Sequence, residues 1–300
     1  MLKDRHPAFL AALWMTGALF SFMAMAVSGR ELTAEYSTFQ ILFFRSVIGV
    51  ILISVLVART SFSQLKTARP GTHLIRNLAH FGGQYGWFYG LAWISLAEVI
   101  AIEFTTPVWT ALLAWLLLGE RLTLPRMLAV ALGIAGLLLI LRPGSGVLHP
   151  AALAVLAGAI GYAISYIQTK SLTRTDTPLC ILFYMTLMQL PFGMVPSLLD
   201  WKSPTLEALP WILVVGVTAM SAHYCMARAF RLADATVVVP MDFMRLPLIA
   251  LVGYLFYQEL IDWYVLAGAA LMFSGNLINI RAEQRKTPLQ RELRVPQSQE

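Results

Sequence analysis

Four ionisable residues stand inside otherwise apolar runs: Arg45, Glu103, Asp242 and Arg245. An Arg or Asp near the centre of a membrane helix costs about 2.5–3.5 kcal/mol on insertion scales, so such groups face a cavity or a partner. Asp242 and Arg245 are three residues apart and share a helix face, which lets them pair. Counting from the ends of their runs puts this pair towards the inner side and Arg45 with Glu103 towards the outer side. The expectation is two quasi-symmetric charged clusters that gate, anchor a solute or carry protons. Static ion pairs that hold helices in register are an equally weighted reading.

A second set of residues is polar and aromatic. His80, Gln84 and Phe88 recur at i, i+4 and i+8, with Tyr85 and Tyr89 beside them. His223 and Tyr224 lie in a later apolar run, and Tyr162, Ser165, Tyr166 and Gln168 in another. Flat rings with a few hydrogen-bonding groups suit an aromatic or heterocyclic ligand. Taken singly, each could be an interhelical tie worth about 0.6 kcal/mol. Gln84, Tyr85, Tyr89, Tyr162, Tyr166, His223, Tyr224 and Arg245 are the candidate binding residues, and Arg45, Glu103 and Asp242 the candidate gating or proton-coupling ones. Pro107 and Pro247 stand near the middle of two runs, where a proline removes a backbone donor and breaks the helix. Pro191 has no such counterpart and reads as a simple bend. Gly82, Gly86 and Gly90 form a small-residue stripe that reads as close helix packing.

The elements that must position these residues are membrane helices. Hydrophobic residues make up 58% of the 300-residue chain and charged residues 13%, against about 25% charge in a soluble domain. Runs long enough to span a bilayer, about 20 apolar residues each, cover 8–28, 38–58, 73–94, 98–118, 124–142, 150–170, 178–198, 209–230, 236–257 and 263–281. The expected fold is an all-α membrane protein with ten spans. Of the 22 Lys and Arg residues, 17 fall in segments on one side, three on the other, and two within spans. This bias places both termini in the cytoplasm of a bacterial-type inner membrane. The net charge of +6 is therefore an orientation signal, and no nucleic-acid partner is expected. The first run exceeds the 7–15 residues of a signal-peptide core, which argues for a retained span.

The chain also repeats itself. Residues 102–120, IEFTTPVWTALLAWLLLGE, align with 241–259, MDFMRLPLIALVGYLFYQE, at an offset of 139. The offset pairs Glu103 with Asp242, Phe104 with Phe243, Gln84 with His223, Tyr85 with Tyr224, Gly136 with Gly275 and Glu120 with Glu259. Two five-span units, 8–142 and 150–281, must enter the membrane from opposite sides, and inverted repeats place a binding site between them. The polar tail 282–300 is expected to be cytoplasmic and disordered. Glu120 and Glu259 end their runs and read as structural.

With the Pro107–Glu120 run, its counterpart ending at Glu259 and the two tandem units in view, the chain resembles the EamA-type branch of the drug/metabolite transporter superfamily. The likeness covers nearly all of 8–281. It implies a ten-helix carrier of a small metabolite working by alternating access, with a cavity lined mainly by spans one, three, four, six, eight and nine. The string 233–259 is similar to members associated with uptake of riboflavin or S-adenosylmethionine. Export of amino acids or related metabolites is the nearest alternative.

An enzyme would need a catalytic cluster. The chain has no H-E-x-x-H, no G-x-S-x-G and no nucleotide loop. His80 and His223 beside Glu103 or Asp242 offer no metal-like spacing, and Cys180 and Cys225 read as packing residues. No catalytic residue, metal or cofactor is expected. The short connections leave little surface for a receptor or scaffold partner. The expected partners are a small-molecule substrate and the lipid bilayer, and a homodimer is allowed.

Overall fold

The computed structural model describes residues 7–119, 123–144, 148–233 and 235–292, and among these it is helical with no strand. The helices are α1 Pro7–Thr33, α2 Thr38–Arg59, α3 Pro70–Trp93, α4 Leu96–Glu103, α5 Thr106–Leu118 and α6 Leu124–Leu141. They continue as α7 Pro150–Leu172, α8 Pro178–Ser197, α9 Leu209–Leu232, α10 Ala235–Phe243, α11 Arg245–Tyr257 and α12 Trp263–Glu292. Seven of them, α1, α3 and α5 to α9, have proline at the first or second position of the first turn, where its missing N–H is not needed. Side chains cap others: Ser37 accepts from Gln40 N–H, Ser95 from Glu98 N–H and Thr177 from Cys180 N–H.

Among the described residues nine helices or joined helix pairs are long and apolar enough to cross a membrane, and the chain is a multi-pass membrane protein. The α3 helix is not among the nine. His73, Arg76, Asn77, His80 and Gln84 lower its hydropathy, and all five are buried against protein. Around the outside Phe20, Leu116, Val195 and Phe256 are exposed, as befits a surface solvated by lipid. The α12 helix runs on past the end of the last apolar run to Glu292.

The helices pack in pairs: α1 on α9, α3 on α7, α2 on α8, α6 on α12 and α4 on α11. Small residues set the closest of these. A Cβ on Gly83 would meet the Gly158 carbonyl at 3.0 Å, and one on Gly86 would collide with the Ala154 carbonyl. The expected stripe is therefore shifted. Gly83, Gly86 and Gly90 face the seam, whereas Gly82 faces open space. The α4–α5 and α10–α11 pairs are each one membrane path interrupted midway.

One end of the bundle is tied by Asp176, in the turn between α7 and α8. Its Oδ2 accepts from Thr67 Oγ1 and pairs with His73 Nε2, each at 2.7 Å. Burial pushes the Asp176 carboxyl up, but hydrogen bonds from Thr67, His73 and Thr175 outweigh this and hold it below the ordinary carboxylate range.

Candidate functional site

The interruptions in the two broken helices sit beside the half-buried acids Glu103 and Asp242. After Glu103 the chain turns at Phe104–Thr105 and restarts at Thr106. Pro107 has no N–H to give the Glu103 carbonyl, which instead accepts Thr106 Oγ1 at 2.6 Å. The second break falls at Met244, two residues after Asp242, and Pro247 denies the Phe243 carbonyl its donor in the same way. Phe104 and Phe243 stack on each other with centroids 4.2 Å apart and planes at 25°. The repeat pairs these same two residues.

Arg245 leaves the second break towards the first. Its Nη2 donates to Glu103 Oε1 at 3.1 Å and lies 3.7 Å from Asp242 Oδ2. The guanidinium also sits over the rings of Phe22 at 4.6 Å and Phe104 at 5.0 Å. Trp87 Nε1 donates to the other Glu103 oxygen at 2.8 Å. The expected arrangement of two separate charged clusters is thus corrected. Glu103 pairs across the halves with Arg245, and Arg45 stands apart from both acids. The physical reason is that both breaks lie near mid-path, so the acids are close in depth rather than on opposite sides.

These groups line a cavity of about 430 Å³, within the 300–1,000 Å³ typical of small-molecule sites. Its walls come from α1 (Phe22, Met25), α2 (Arg45), α3 (His80, Gln84, Trp87, Phe88) and the first break (Glu103 to Pro107). The other half supplies Tyr162, Tyr166, His223, Met226, Asp242, Phe243, Arg245 and Asn276. Several polar atoms on this wall are buried without a hydrogen-bond partner: Arg45 Nε, Gln84 Oε1, Asp242 Oδ1 and Arg245 Nε. Such atoms destabilise an empty interior and are satisfied by water or a solute.

Of the residues singled out from sequence, Gln84, Tyr162, Tyr166, His223, Arg245, Arg45, Glu103, Asp242 and Pro107 face this cavity. Tyr85, Tyr89, Tyr224 and Pro247 do not line it. Tyr85 packs on Phe39 at 4.6 Å and stacks on Tyr89 at 6.0 Å, while Tyr224 is 55% exposed and meets Trp14 edge-on. On a helix whose residues 80, 84 and 88 face inwards, positions 85 and 89 are turned about 100° away. Trp87, Met25, Phe22 and Asn276 were not foreseen. Trp87 follows Gln84 by three positions and was legible on that ground; the α1 residues had no polar mark. Glu120 lies outside the described residues.

The two ends of the cavity differ. Beside α1 and α11, Arg30 Nη2 donates to Glu259 Oε1 at 2.6 Å, and Leu96 N–H donates to Glu259 Oε2 at 2.9 Å. Arg30 also reaches the carbonyls of Leu91 and Ile94. Tyr257 donates to Glu31 and Arg142 pairs with Asp262 at 2.5 Å. Burial pushes the Glu259 carboxyl up, against the opposing pull of the Leu96 N–H and Arg30. At the other end a second space of about 620 Å³ shares Pro107 and Tyr166 with the central cavity. Arg126, Lys170 and Arg174 line it.

Among the described residues His80 and His223 do not gather with the acids as metal ligands. The one group with ligand-like spacing is His73, Asp176 and Cys180, in the tie between α7 and α8.

The model of the EamA-like transporter family matches residues 9–142 and 149–281. An S-adenosylmethionine uptake transporter of Rickettsia bellii is 27% identical over 91% of this chain and 94% of its own length. A riboflavin transporter of Rhizobium johnstonii is 30% identical over 93% of each chain. A pseudopaline exporter of Pseudomonas aeruginosa is 26% identical over 85% of this chain and 90% of its own. A crystal structure 19% identical over 92% of this chain and 98% of its own has a similar fold, with a TM-score of 0.64.

Proposed function

The chain belongs to the EamA-like transporter family, and on that premise we propose that it is a ten-span inner-membrane carrier that takes up a heteroaromatic metabolite, riboflavin or S-adenosylmethionine, by alternating access. The observation that carries this reading is the 430 Å³ cavity walled by both halves, with broken helices and unsatisfied polar atoms on its surface. The tenth span is α3, whose polar side chains are covered by its neighbours instead of facing lipid.

The inverted arrangement is supported by the packing. With five spans per half, exchanging the halves maps α1 on α9 to α7 on α3, and maps α6 on α12 onto itself. Contacts follow suit: a Cβ on Gly136 would run into the Gly268 carbonyl, and one on Gly275 would meet the Ala129 carbonyl at 3.0 Å. These are the same contact under the 139-residue offset. The bias of Lys and Arg supports a cytoplasmic side that holds the termini and the Arg126–Arg174 space. The Arg30–Glu259 latch then shuts the outer end, and this conformation faces inwards. Glu103 and Asp242 are the groups through which a proton would be coupled.

Export of an amino-acid-like metabolite is the rival, favoured by the likeness to the pseudopaline exporter. Uptake of labelled riboflavin, S-adenosylmethionine and an amino-acid panel into proteoliposomes, with and without a pH gradient, decides. We expect saturable uptake of one of the two named compounds, lost in Glu103→Gln. Uptake no greater than in empty liposomes for both would overturn the reading.

A further inference from the structure

Arg45 is 3% exposed and lines the central cavity. Among the described residues its guanidinium makes no hydrogen bond or ion pair, and Nε is buried without a partner. Arg76, the Tyr162 phenol and the His80 and His223 rings are its charged and titratable neighbours, and none of them supplies a negative charge at neutral pH. An isolated buried cation is strongly unfavourable unless something neutralises it. The acids in the cavity do not, because Glu103 and Asp242 are both turned to Arg245. With both carboxylates ionised, that cluster keeps one negative charge in excess, and Asp242 Oδ1 has no partner. The cavity is therefore dipolar, with one bare cation at the α2 wall and one surplus negative charge at the helix breaks.

We infer that the substrate is a zwitterion whose carboxylate docks on Arg45 and whose cationic centre docks on Glu103 and Asp242, its ring lying against Phe22, Phe88 and Tyr162. This rests on the carrier reading and narrows it. A planar guanidinium fork matches a carboxylate through two parallel hydrogen bonds, which neutral carbonyls of a flavin reproduce only weakly. Of the two substrates named for the relatives, S-adenosylmethionine has both charges and riboflavin has neither. A chloride ion from solution has the same charge as the carboxylate, and the test separates the two.

The experiment is equilibrium binding to the purified full chain in detergent, using S-adenosylmethionine, its decarboxylated analogue and riboflavin. Wild type should bind S-adenosylmethionine about 30-fold more tightly than the decarboxylated analogue, the equivalent of about 2 kcal/mol. This arm needs no substitution, so misfolding cannot confound it. Arg45→Gln should erase the difference by weakening only the carboxylated ligand, and Arg45→Lys should restore part of it. Replacing most of the chloride salt with mannitol, a neutral osmolyte, should leave the preference intact. Equal binding of both compounds by wild type, equal weakening of both by Arg45→Gln, or a preference that vanishes with chloride would each overturn the inference. If riboflavin is taken up equally by wild type and Arg45→Gln, the carrier reading stands and the zwitterion falls. If no panel compound is taken up, the carrier reading itself fails.

Discussion

Arg45 and Arg245 are equally buried and line the same cavity, yet their surroundings are opposite. Arg245 is held by two carboxylates and two aromatic faces. Arg45 has no polar partner among the described residues. A cation whose partners come from the protein is part of the architecture, because removing it strands the groups that were built around it. A cation left without partners destabilises the protein on its own, and its retention points to a ligand that arrives from outside. Burial alone does not separate the two, but the inventory of partners does.

Substitutions at these two residues should therefore move stability in opposite directions. The largest effect is expected for Arg245→Ala, which leaves the half-buried Glu103 and Asp242 without their cation. Loss of about 3–5 kcal/mol in thermal unfolding is predicted, and an unchanged melting temperature would break the contrast. Arg45→Leu should leave the stability unchanged or raise it by about 0–2 kcal/mol, while abolishing uptake. Collapse of the fold in this variant would mean that Arg45 is structural after all.

Asp176 is a saturated acid that sharpens the same point at the end of the bundle. Asp176→Asn should cost about 1–3 kcal/mol. Its carboxyl titrates lower in the folded chain than when unfolded, so its contribution is complete above the ordinary value near 3.9 and fades as pH falls through the lower folded value. The gap in melting temperature between wild type and variant should be full at pH 7 and close below about pH 4; a gap that widens in acid would contradict the assignment. The smallest effect concerns the halves themselves. Gly119 and Gln258 close α5 and α11 with the same left-handed turn, at φ +65° and +55°. Gln258→Gly should stabilise by about 0.5 kcal/mol, relief of the left-handed residue outweighing the added chain entropy.

Much of the fold was readable because lipid demands a simple pattern. Apolar runs of span length follow from placing helices in a bilayer. Charged residues inside runs marked the site for the same reason, and Arg45, Glu103, Asp242 and Arg245 all reached the cavity. What sequence could not supply was rotation about the helix axis and depth. Tyr85 and Tyr224 are matched by the repeat, but each lies one position round from the inward face. Glu103 was assigned to Arg45 because both were placed in the outer half. The mid-path breaks bring it instead to Arg245. Phe22 and Met25 look like any lipid-facing residues in sequence, and only packing turns them inwards.

Under the proposed carrier reading the central cavity is reached alternately from two ends, and the Arg30–Glu259 ion pair closes one of them. The most direct test is to tie that end closed. Cysteines replacing Glu31 and Tyr257, whose side chains touch at 2.6 Å, would be joined by a short bismaleimide in a background with Cys180 and Cys225 changed to serine. Uptake into proteoliposomes should stop in the crosslinked protein and persist in either single-cysteine control treated alike. Undiminished uptake through the crosslinked protein would contradict passage by this route.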